Sequence, residues 1–120
     1  MKRRLPLSRH DDQVSMRHML DHAREACAIA RGRKRSDLES DRMLQLSLTR
    51  LAEIVGEAAS RASISTREKY PAIPWPDIVG MRNRLIHGYD IVDLDLLWDT
   101  VETDLPSLIA QLEAIFKELQ

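Results

Sequence analysis

Apolar residues recur at alternating steps of three and four along most of the chain, which is the spacing of amphipathic helices. The first stripe ends at Gly32, and its N-terminal cap is expected at Ser8. The second stripe covers roughly residues 38–63 and follows Ser36–Glu39, which has the spacing of a capping box. Gly56 lies inside this helix at a cost of about 1 kcal/mol relative to Ala, so we expect another backbone to pass close to it.

Prolines between residues 64 and 76 exclude a continuous helix there, so this segment is predicted to be the longest connection. A short third helix is expected from Pro76 to His87, where Gly88 would stop it. Asp93 stands where it can cap a last helix, which Pro106 must kink or restart. Because the links are short, the pattern predicts an all-α fold, a compact and mostly antiparallel bundle of four to five helices.

Composition supports the helical prediction. Only 4% of the 120 residues are aromatic, which is too few for a typical sandwich or barrel, and Trp75 and Trp98 are expected to be core or interface anchors. The length predicts one domain over residues 1–120, with residues 1–9 as a flexible basic N-terminus. The single Cys27 predicts a buried thiol in a reducing compartment. No apolar run reaches the ~18–20 residues of a membrane span, so we expect a cytoplasmic protein.

The net charge of −1 conceals two oppositely charged ends. Residues 1–35 carry ten Lys and Arg against four Asp and Glu, including the basic tract 31–35, while residues 90–120 carry eight acids against Lys117 alone. The basic half could meet phosphate, and the acidic half could meet a basic partner or a second copy of the chain. Both runs are also typical of a solvated loop and a solvated helix face.

Histidine and carboxylate pairs elsewhere have simple explanations. His18 and His22 stand four apart, as metal ligands on a helix can, but no third ligand matches them. We therefore predict no metal and no cofactor. Asp11-Asp12 and the pair Asp93 and Asp95 lie where helix starts favour negative charge, so we interpret them as caps.

The most informative segment is Met81–Tyr89, which gathers a permanent cation, an imidazole that titrates near neutral pH and a phenol. On one straight helix Arg82 and His87 diverge by about 140°. They converge only if the chain bends at Gly88 or if a second copy supplies the complementary half. Together they could cleave RNA without metal, with His87 moving the 2′-OH proton and Arg82 stabilising the phosphorane. Ordinary ion pairs at a helix end are the alternative.

The motif Arg82-x-x-x-x-His87-x-Tyr89 resembles that of the HEPN superfamily at every defined position. Four further segments resemble, in the same order, the HepT-like toxins that accompany MntA-type minimal nucleotidyltransferases: residues 41–45, 53–58, 78–83 and 97–101. The likeness covers roughly residues 12–119. It implies an all-α homodimer whose two motifs face a shared cleft, and a metal-independent endoribonuclease that cuts tRNA or mRNA.

The same resemblance implies a role for each motif residue. Arg82 and His87 become the catalytic pair, and Asn83 becomes a supporting polar residue. Tyr89 becomes the residue to which the partner nucleotidyltransferase, the antitoxin, adds AMP units, placing bulk and negative charge near His87. The chain would then be the toxin of a toxin–antitoxin pair, with RNA and the antitoxin as partners and without DNA or membrane. A non-catalytic nucleotide-binding or scaffold subunit that docks the nucleotidyltransferase is the alternative.

Overall fold

The protein is described here by a computed structural model that covers residues 9–87 and 91–120. Within those residues the fold is all-α except for one two-stranded hairpin, as the sequence predicts. The expected Ser8 cap and the basic residues 1–8 lie outside the described residues. The elements are, in order, α1 (Arg9–Ala30), α2 (Asp37–Ser40), α3 (Arg42–Ser60), α4 (Ile64–Lys69), α5 (Trp75–Val79), α6 (Met81–Leu85), β1 (Ile86–His87), β2 (Ile91–Val92), α7 (Leu94–Asp99), a π-helical segment (Thr100–Asp104) and α8 (Leu105–Leu119).

The core lies between the three long helices, because α1 packs against both α3 and α8. The apolar stripes of these helices face one another, and each large side chain removed from water contributes about 1.5–3 kcal/mol. Gly32 ends α1 as predicted, with a φ of 77° that favours glycine. The largest fully buried apolar side chains come from these helices and from α2, α6 and α7: Met19, Leu20, Leu38, Leu48, Val55, Leu85, Leu97, Leu105 and Leu112.

The second predicted helix is divided at Asp41. The Ser36 side chain makes no capping hydrogen bond, and only the single turn α2 follows it, so the predicted capping box at Ser36–Glu39 is wrong. Asp41 has extended backbone and accepts a hydrogen bond from the Leu44 N–H at 3.0 Å, which begins α3. The Arg33 guanidinium lies 2.8 Å from the Asp41 carboxylate and helps to hold it there.

The connection after α3 contains a helix that the sequence pattern did not indicate. Helix α4 buries none of its residues, so it carries no apolar stripe. Asp11 and Asp12 lie in the first turn of α1 as expected, but buried Asp12 also accepts hydrogen bonds from the Ser63 N–H, the Ser63 hydroxyl and the Thr66 hydroxyl. Although burial favours the neutral acid, these hydrogen bonds keep the pKa of Asp12 below its ordinary value.

The predicted third helix is also broken. Helix α5 ends at Val79, α6 ends at Leu85, and Ile86 has extended backbone with φ −111° and ψ 120°. The prediction of a helix reaching His87 is therefore wrong. Its physical reason is that the Leu85 carbonyl accepts a hydrogen bond from the distant Asp93 N–H at 2.8 Å, which directs the chain into an antiparallel hairpin. Gly88, the predicted stop, lies outside the described residues.

The last predicted helix is interrupted once. Asp93 caps α7 as expected, because its side chain accepts from the Leu96 N–H at 3.0 Å. A π-helical turn then precedes α8, where the Leu105 N–H donates to the Thr100 carbonyl. This wide turn accommodates Pro106, which lacks an N–H and stands in the first turn of α8, so the helix restarts there. None of the described helices is both long and apolar enough to cross a membrane.

The two tryptophans and the cysteine pack with the core. Trp75 is buried and donates its indole N–H to the Tyr70 carbonyl at 3.0 Å, while Trp98 is half-buried against the core. Their prediction as anchors is confirmed. Cys27 is half-buried rather than fully buried, and its thiol faces the Val101 carbonyl at 3.8 Å. Burial raises the pKa of this thiol.

Candidate active site

The candidate site begins with a close approach between two backbones. A Cβ placed on Gly56 would lie 2.9 Å from the Ile78 carbonyl oxygen, so only glycine allows α5 to rest directly on α3. The expectation that a backbone passes close to Gly56 is confirmed. Met81 and Leu85 are buried at 3% and 0% exposure, which fixes α6 against the same helix. The segment that carries the motif is therefore held by packing at its helical end.

Arg82 projects from α6 toward an acidic residue of α3. Its Nε lies 3.4 Å from Oε2 of Glu53, and the side chains are 65% and 15% exposed respectively. The same Glu53 oxygen lies 4.0 Å from Arg50, which also approaches Glu57 at 3.5 Å. One largely buried carboxylate thus stands between two exposed guanidinium groups. Glu53 lies in a segment that resembles the HepT-like toxins, but the sequence gave it no role, because an acid on an amphipathic helix does not indicate a partner 29 positions later.

His87 lies on β1 and faces a different carboxylate. Its Nε2 is 3.9 Å from Oδ2 of Asp93, and its side chain is 63% exposed. The other Asp93 oxygen caps α7 through the Leu96 N–H. In the hairpin, His87 stands opposite Ile91, whose side chain is 67% exposed. Asp93, interpreted from the sequence only as a cap, is therefore also the acidic neighbour of His87.

The two motif residues belong to different elements rather than to one helix. Arg82 is helical, whereas His87 follows the turn into extended backbone at Ile86. The 140° divergence expected for a straight helix does not apply beyond Leu85, because the chain bends before the predicted Gly88. Asn83 is exposed on α6 beside Arg82. Tyr89, the predicted modification site, lies outside the described residues.

A groove of about 490 Å³ borders the other flank of α6. Arg84, two positions from Arg82 and thus about 200° away around the helix, lines it and approaches Asp77 at 4.0 Å. Asp104 also lines it, and burial raises the pKa of that carboxyl despite the nearby Arg84 charge. The helices α5, α6, α7 and α8 supply apolar residues to the lining of the groove.

Two of the four basic side chains in the tract 31–35 form ion pairs with acids of the chain. Arg33 contacts Asp41 at 2.8 Å and Asp37 at 3.4 Å. Arg35 contacts Asp95 at 2.6 Å and Glu39 at 3.1 Å, which ties the loop after α1 to α7. Two guanidinium groups that the sequence offered for phosphate contact are therefore already paired within the chain.

The described residues contain no cluster of three or more His, Cys, Asp or Glu side chains that could hold a metal ion. His18 is exposed, and His22 Nδ1 lies 2.7 Å from the His18 carbonyl oxygen, the contact of a side chain with its own helix. The charged and titratable groups described around the motif are the guanidinium of Arg82, the imidazole of His87 and the carboxylates of Glu53 and Asp93.

Residues 19–115 match a protein family described as Ribonuclease HepT-like, and this range includes the whole motif. A Methanocaldococcus jannaschii protein named "Putative RNase MJ1380" is 30% identical over 109 residues, which cover 91% of this chain and 100% of the relative. A Thermococcus cleftensis protein named "Probable ribonuclease HepT" is 38% identical over 81 residues, covering 68% of this chain and 74% of the relative.

Another Methanocaldococcus jannaschii protein is named "Gamma-glutamylcyclotransferase and putative RNase MJ0434". It is 33% identical over 111 residues, which cover 92% of this chain, and this chain spans 50% of that protein's length. No solved structure matches the chain. Sequence similarity over most of the chain, with the motif inside residues 19–115, therefore connects this site to the ribonuclease relatives.

Proposed function

The chain belongs to the HepT-like ribonuclease family, and from this premise we propose that it is an endoribonuclease that cleaves RNA without a metal ion. The observation that carries the proposal is the placement of Arg82 and His87. Both side chains are more than 60% exposed, and each stands beside a carboxylate that can orient it. A permanent cation and an imidazole accessible to a polymer suit the cleavage of a phosphodiester.

In the proposed reaction the ribose 2′-OH attacks the neighbouring phosphorus. His87 accepts the hydroxyl proton as the bond between the 2′-oxygen and phosphorus forms. It then donates a proton to the 5′-oxygen as the bond between phosphorus and that oxygen breaks. Arg82 binds the non-bridging oxygens, where negative charge accumulates in the phosphorane. The products are a 2′,3′-cyclic phosphate and a 5′-hydroxyl. Asn83, exposed on the same helix, supports the phosphate through its amide.

The active form is a homodimer in this proposal, with two motifs facing one cleft. The support is that both motif side chains are exposed on a single small bundle, so one chain does not enclose a site around them. Ile91, exposed beside His87, adds apolar surface that a second copy would cover. Light scattering should give about twice the 13.8 kDa of one chain. A mass of one chain at micromolar concentration would contradict the dimer.

The ribonuclease acts in the cytoplasm as the toxin of a toxin–antitoxin pair. Its antitoxin is a minimal nucleotidyltransferase that adds AMP from ATP to the Tyr89 hydroxyl. Tyr89 follows His87 by two positions, so each adenylate would bring negative charge to the place where the substrate phosphate binds. The intact mass of the protein should rise in AMP-sized steps after incubation with the partner nucleotidyltransferase and ATP. An equal rise for Tyr89→Phe would refute this modification site.

The proposed activity is tested by incubating the protein with total RNA in EDTA, beside two single variants. His87→Ala removes the motif imidazole, and His22→Ala removes a histidine that is remote in sequence and whose Nδ1 contacts its own helix at the His18 carbonyl. We expect cleavage by the wild type and by His22→Ala, and none by His87→Ala. Equal cleavage by the wild type and both variants, or no cleavage by the wild type, would refute the proposal. Absence of cleavage combined with binding of the nucleotidyltransferase would instead favour the scaffold function.

A further inference from the structure

We propose that Glu53 is a positioning residue that holds Arg82 for the scissile phosphate. The inference deepens the proposed function and rests on it. It assigns a role to an acidic residue of α3 that lies 29 positions before Arg82 and outside the motif. Three observations carry it: the burial of Glu53, the way α6 is fixed to α3, and the arrangement of charge around one carboxylate oxygen.

The first observation is the contrast in exposure between the partners. Glu53 is 15% exposed, while Arg82 and Arg50 are 65% and 61% exposed. The carboxylate is therefore the fixed member of the group, and the guanidinium groups extend from it toward solvent. The closest nitrogen of Arg82 is Nε, at 3.4 Å, which is the nitrogen nearest the aliphatic stem. Anchoring at Nε restrains the side chain while the two terminal nitrogens continue beyond it as a fork for phosphate.

The second observation is that close packing of the backbone fixes the distance between the helices that carry Glu53 and Arg82. Gly56 lies one turn after Glu53 on α3, and because it has no side chain, the Ile78 carbonyl can approach closely. A Cβ at this position would lie only 2.9 Å from that carbonyl oxygen. Met81, the residue before Arg82, is 3% exposed. The separation between α3 and α6 at this point is therefore fixed by packing. Arg82 meets Glu53 because of the fold and not through a chance surface encounter.

The third observation concerns the charge that RNA would meet. A lone carboxylate beside the scissile phosphate would repel it. Oε2 of Glu53 lies 3.4 Å from Arg82 and 4.0 Å from Arg50, so its charge is offset by Arg82 and, at a longer distance, by Arg50. Glu57 supplies a comparison on the same helix, because it contacts Arg50 at 3.5 Å. Among the described residues, no ion pair or hydrogen bond joins Glu57 to Arg82.

The decisive comparison is between Glu53→Gln and Glu57→Gln, which remove the same charge from neighbouring turns of one helix. Cleavage is measured under single-turnover conditions with end-labelled unfractionated tRNA. Binding is measured with a mixed-sequence 2′-O-methyl RNA, which lacks the attacking hydroxyl. Misplacement of a reacting group by about 1 Å can cost about 100-fold in rate. We expect Glu53→Gln to lower the cleavage rate by about 10- to 100-fold and to bind the 2′-O-methyl RNA at least as tightly as the wild type.

Glu57→Gln should cleave and bind as the wild type does. A purely electrostatic effect of acids near RNA would instead make both variants bind more tightly and cleave no slower. The positioning role is overturned if Glu53→Gln cleaves at the wild-type rate, if Glu57→Gln loses as much, or if weaker binding accounts for the whole loss. A wild type that cleaves no better than His87→Ala overturns the proposed function itself, which distinguishes the two failures.

A second measurement examines the contact without relying on activity. The Nε–H signal of Arg82, assigned by its disappearance in Arg82→Lys, is followed by nitrogen-resolved nuclear magnetic resonance. We expect Glu53→Gln to shift this signal and Glu57→Gln to leave it in place, with both variants melting at the wild-type temperature. An Arg82 signal unchanged in Glu53→Gln would show that the carboxylate does not hold the guanidinium, and would refute the inference.

Discussion

The core between α1, α3 and α8 and the segment from α6 to β2 are built on opposite principles. In the core, apolar side chains recur with the helix and are nearly all buried, so local pattern and tertiary packing agree. In the segment, the helix stops after five residues, the chain turns into a short strand, and its polar side chains are exposed beside carboxylates. The residues that carry the proposed chemistry thus lie at one of the places where the chain departs from its helical pattern.

Replacing His87 by Ala should cause the largest loss of RNA cleavage and almost no change in the stability of the core. General acid–base groups contribute about 10²–10⁴-fold to a rate, so RNA cleavage should fall by about that factor. The side chain is 63% exposed, and the thermal unfolding midpoint should therefore stay within about 2 °C of the wild type. Cleavage and melting measured on one preparation test both statements. A large loss of stability would show that His87 has a structural role in the fold, contrary to the prediction.

Leu48→Ala should produce the reverse result. Leu48 is fully buried on α3, and truncation of such a residue lowers the free energy of unfolding by about 2–5 kcal/mol. The cleavage rate per folded molecule, measured well below the melting transition, should remain near the wild-type value because the motif lies elsewhere. Urea unfolding gives the stability change. A variant that kept its stability would show that the space around Leu48 can collapse or was loosely packed.

Gly56→Ala lies at the junction of the two regions and should affect both. The added Cβ would meet the Ile78 carbonyl at 2.9 Å, so α5 must move away, at a cost of about 1–3 kcal/mol. Because α6 follows α5, the distance between Arg82 and Glu53 should increase, and cleavage should also slow. Chemical denaturation and single-turnover cleavage check the two effects. Ala58→Gly on the same helix is a control that should lower stability without slowing cleavage.

Asp12→Asn should give the smallest effect, and its size should depend on pH. Hydrogen bonds from Ser63 and Thr66 lower the pKa of Asp12 in the folded protein below its ordinary value of 3.8. The ionised carboxylate therefore stabilises the fold fully above that value, and this contribution is lost as the pH falls through the folded pKa. The variant should be less stable than the wild type by about 1.5 kcal/mol at pH 7. Urea titrations from pH 7 to pH 3 should show the difference narrowing, and a constant difference would contradict the assignment.

The long helices could be predicted from the sequence because burial is periodic there. Helix α4 could not, since it buries no residue and is fixed by Asp12 from another helix. The end of α6 was missed for a similar reason. The hydrogen bond that turns the chain joins Leu85 to Asp93, a contact that depends on the hairpin rather than on the local residues.

The candidate site was predictable only in part. The spacing of Arg82 and His87 marked the segment, and the family resemblance gave each a role that stays a prediction. The carboxylates beside them were not recognised as partners. Asp93 looked like a helix cap, which it also is, and Glu53 looked like one acid among many on a helix. Their significance comes from tertiary packing, which periodicity along one helix does not report.

The central claim is that this segment cleaves RNA through its own side chains and the 2′-hydroxyl of the substrate. The most direct measurement is the chemistry of the new RNA ends after incubation in EDTA, read by enzymatic end-labelling and mass spectrometry. We expect 2′,3′-cyclic phosphate and 5′-hydroxyl ends that form with the wild type and are absent with His87→Ala. Ends carrying a 3′-hydroxyl and a 5′-phosphate, or cleavage that EDTA abolishes, would contradict it.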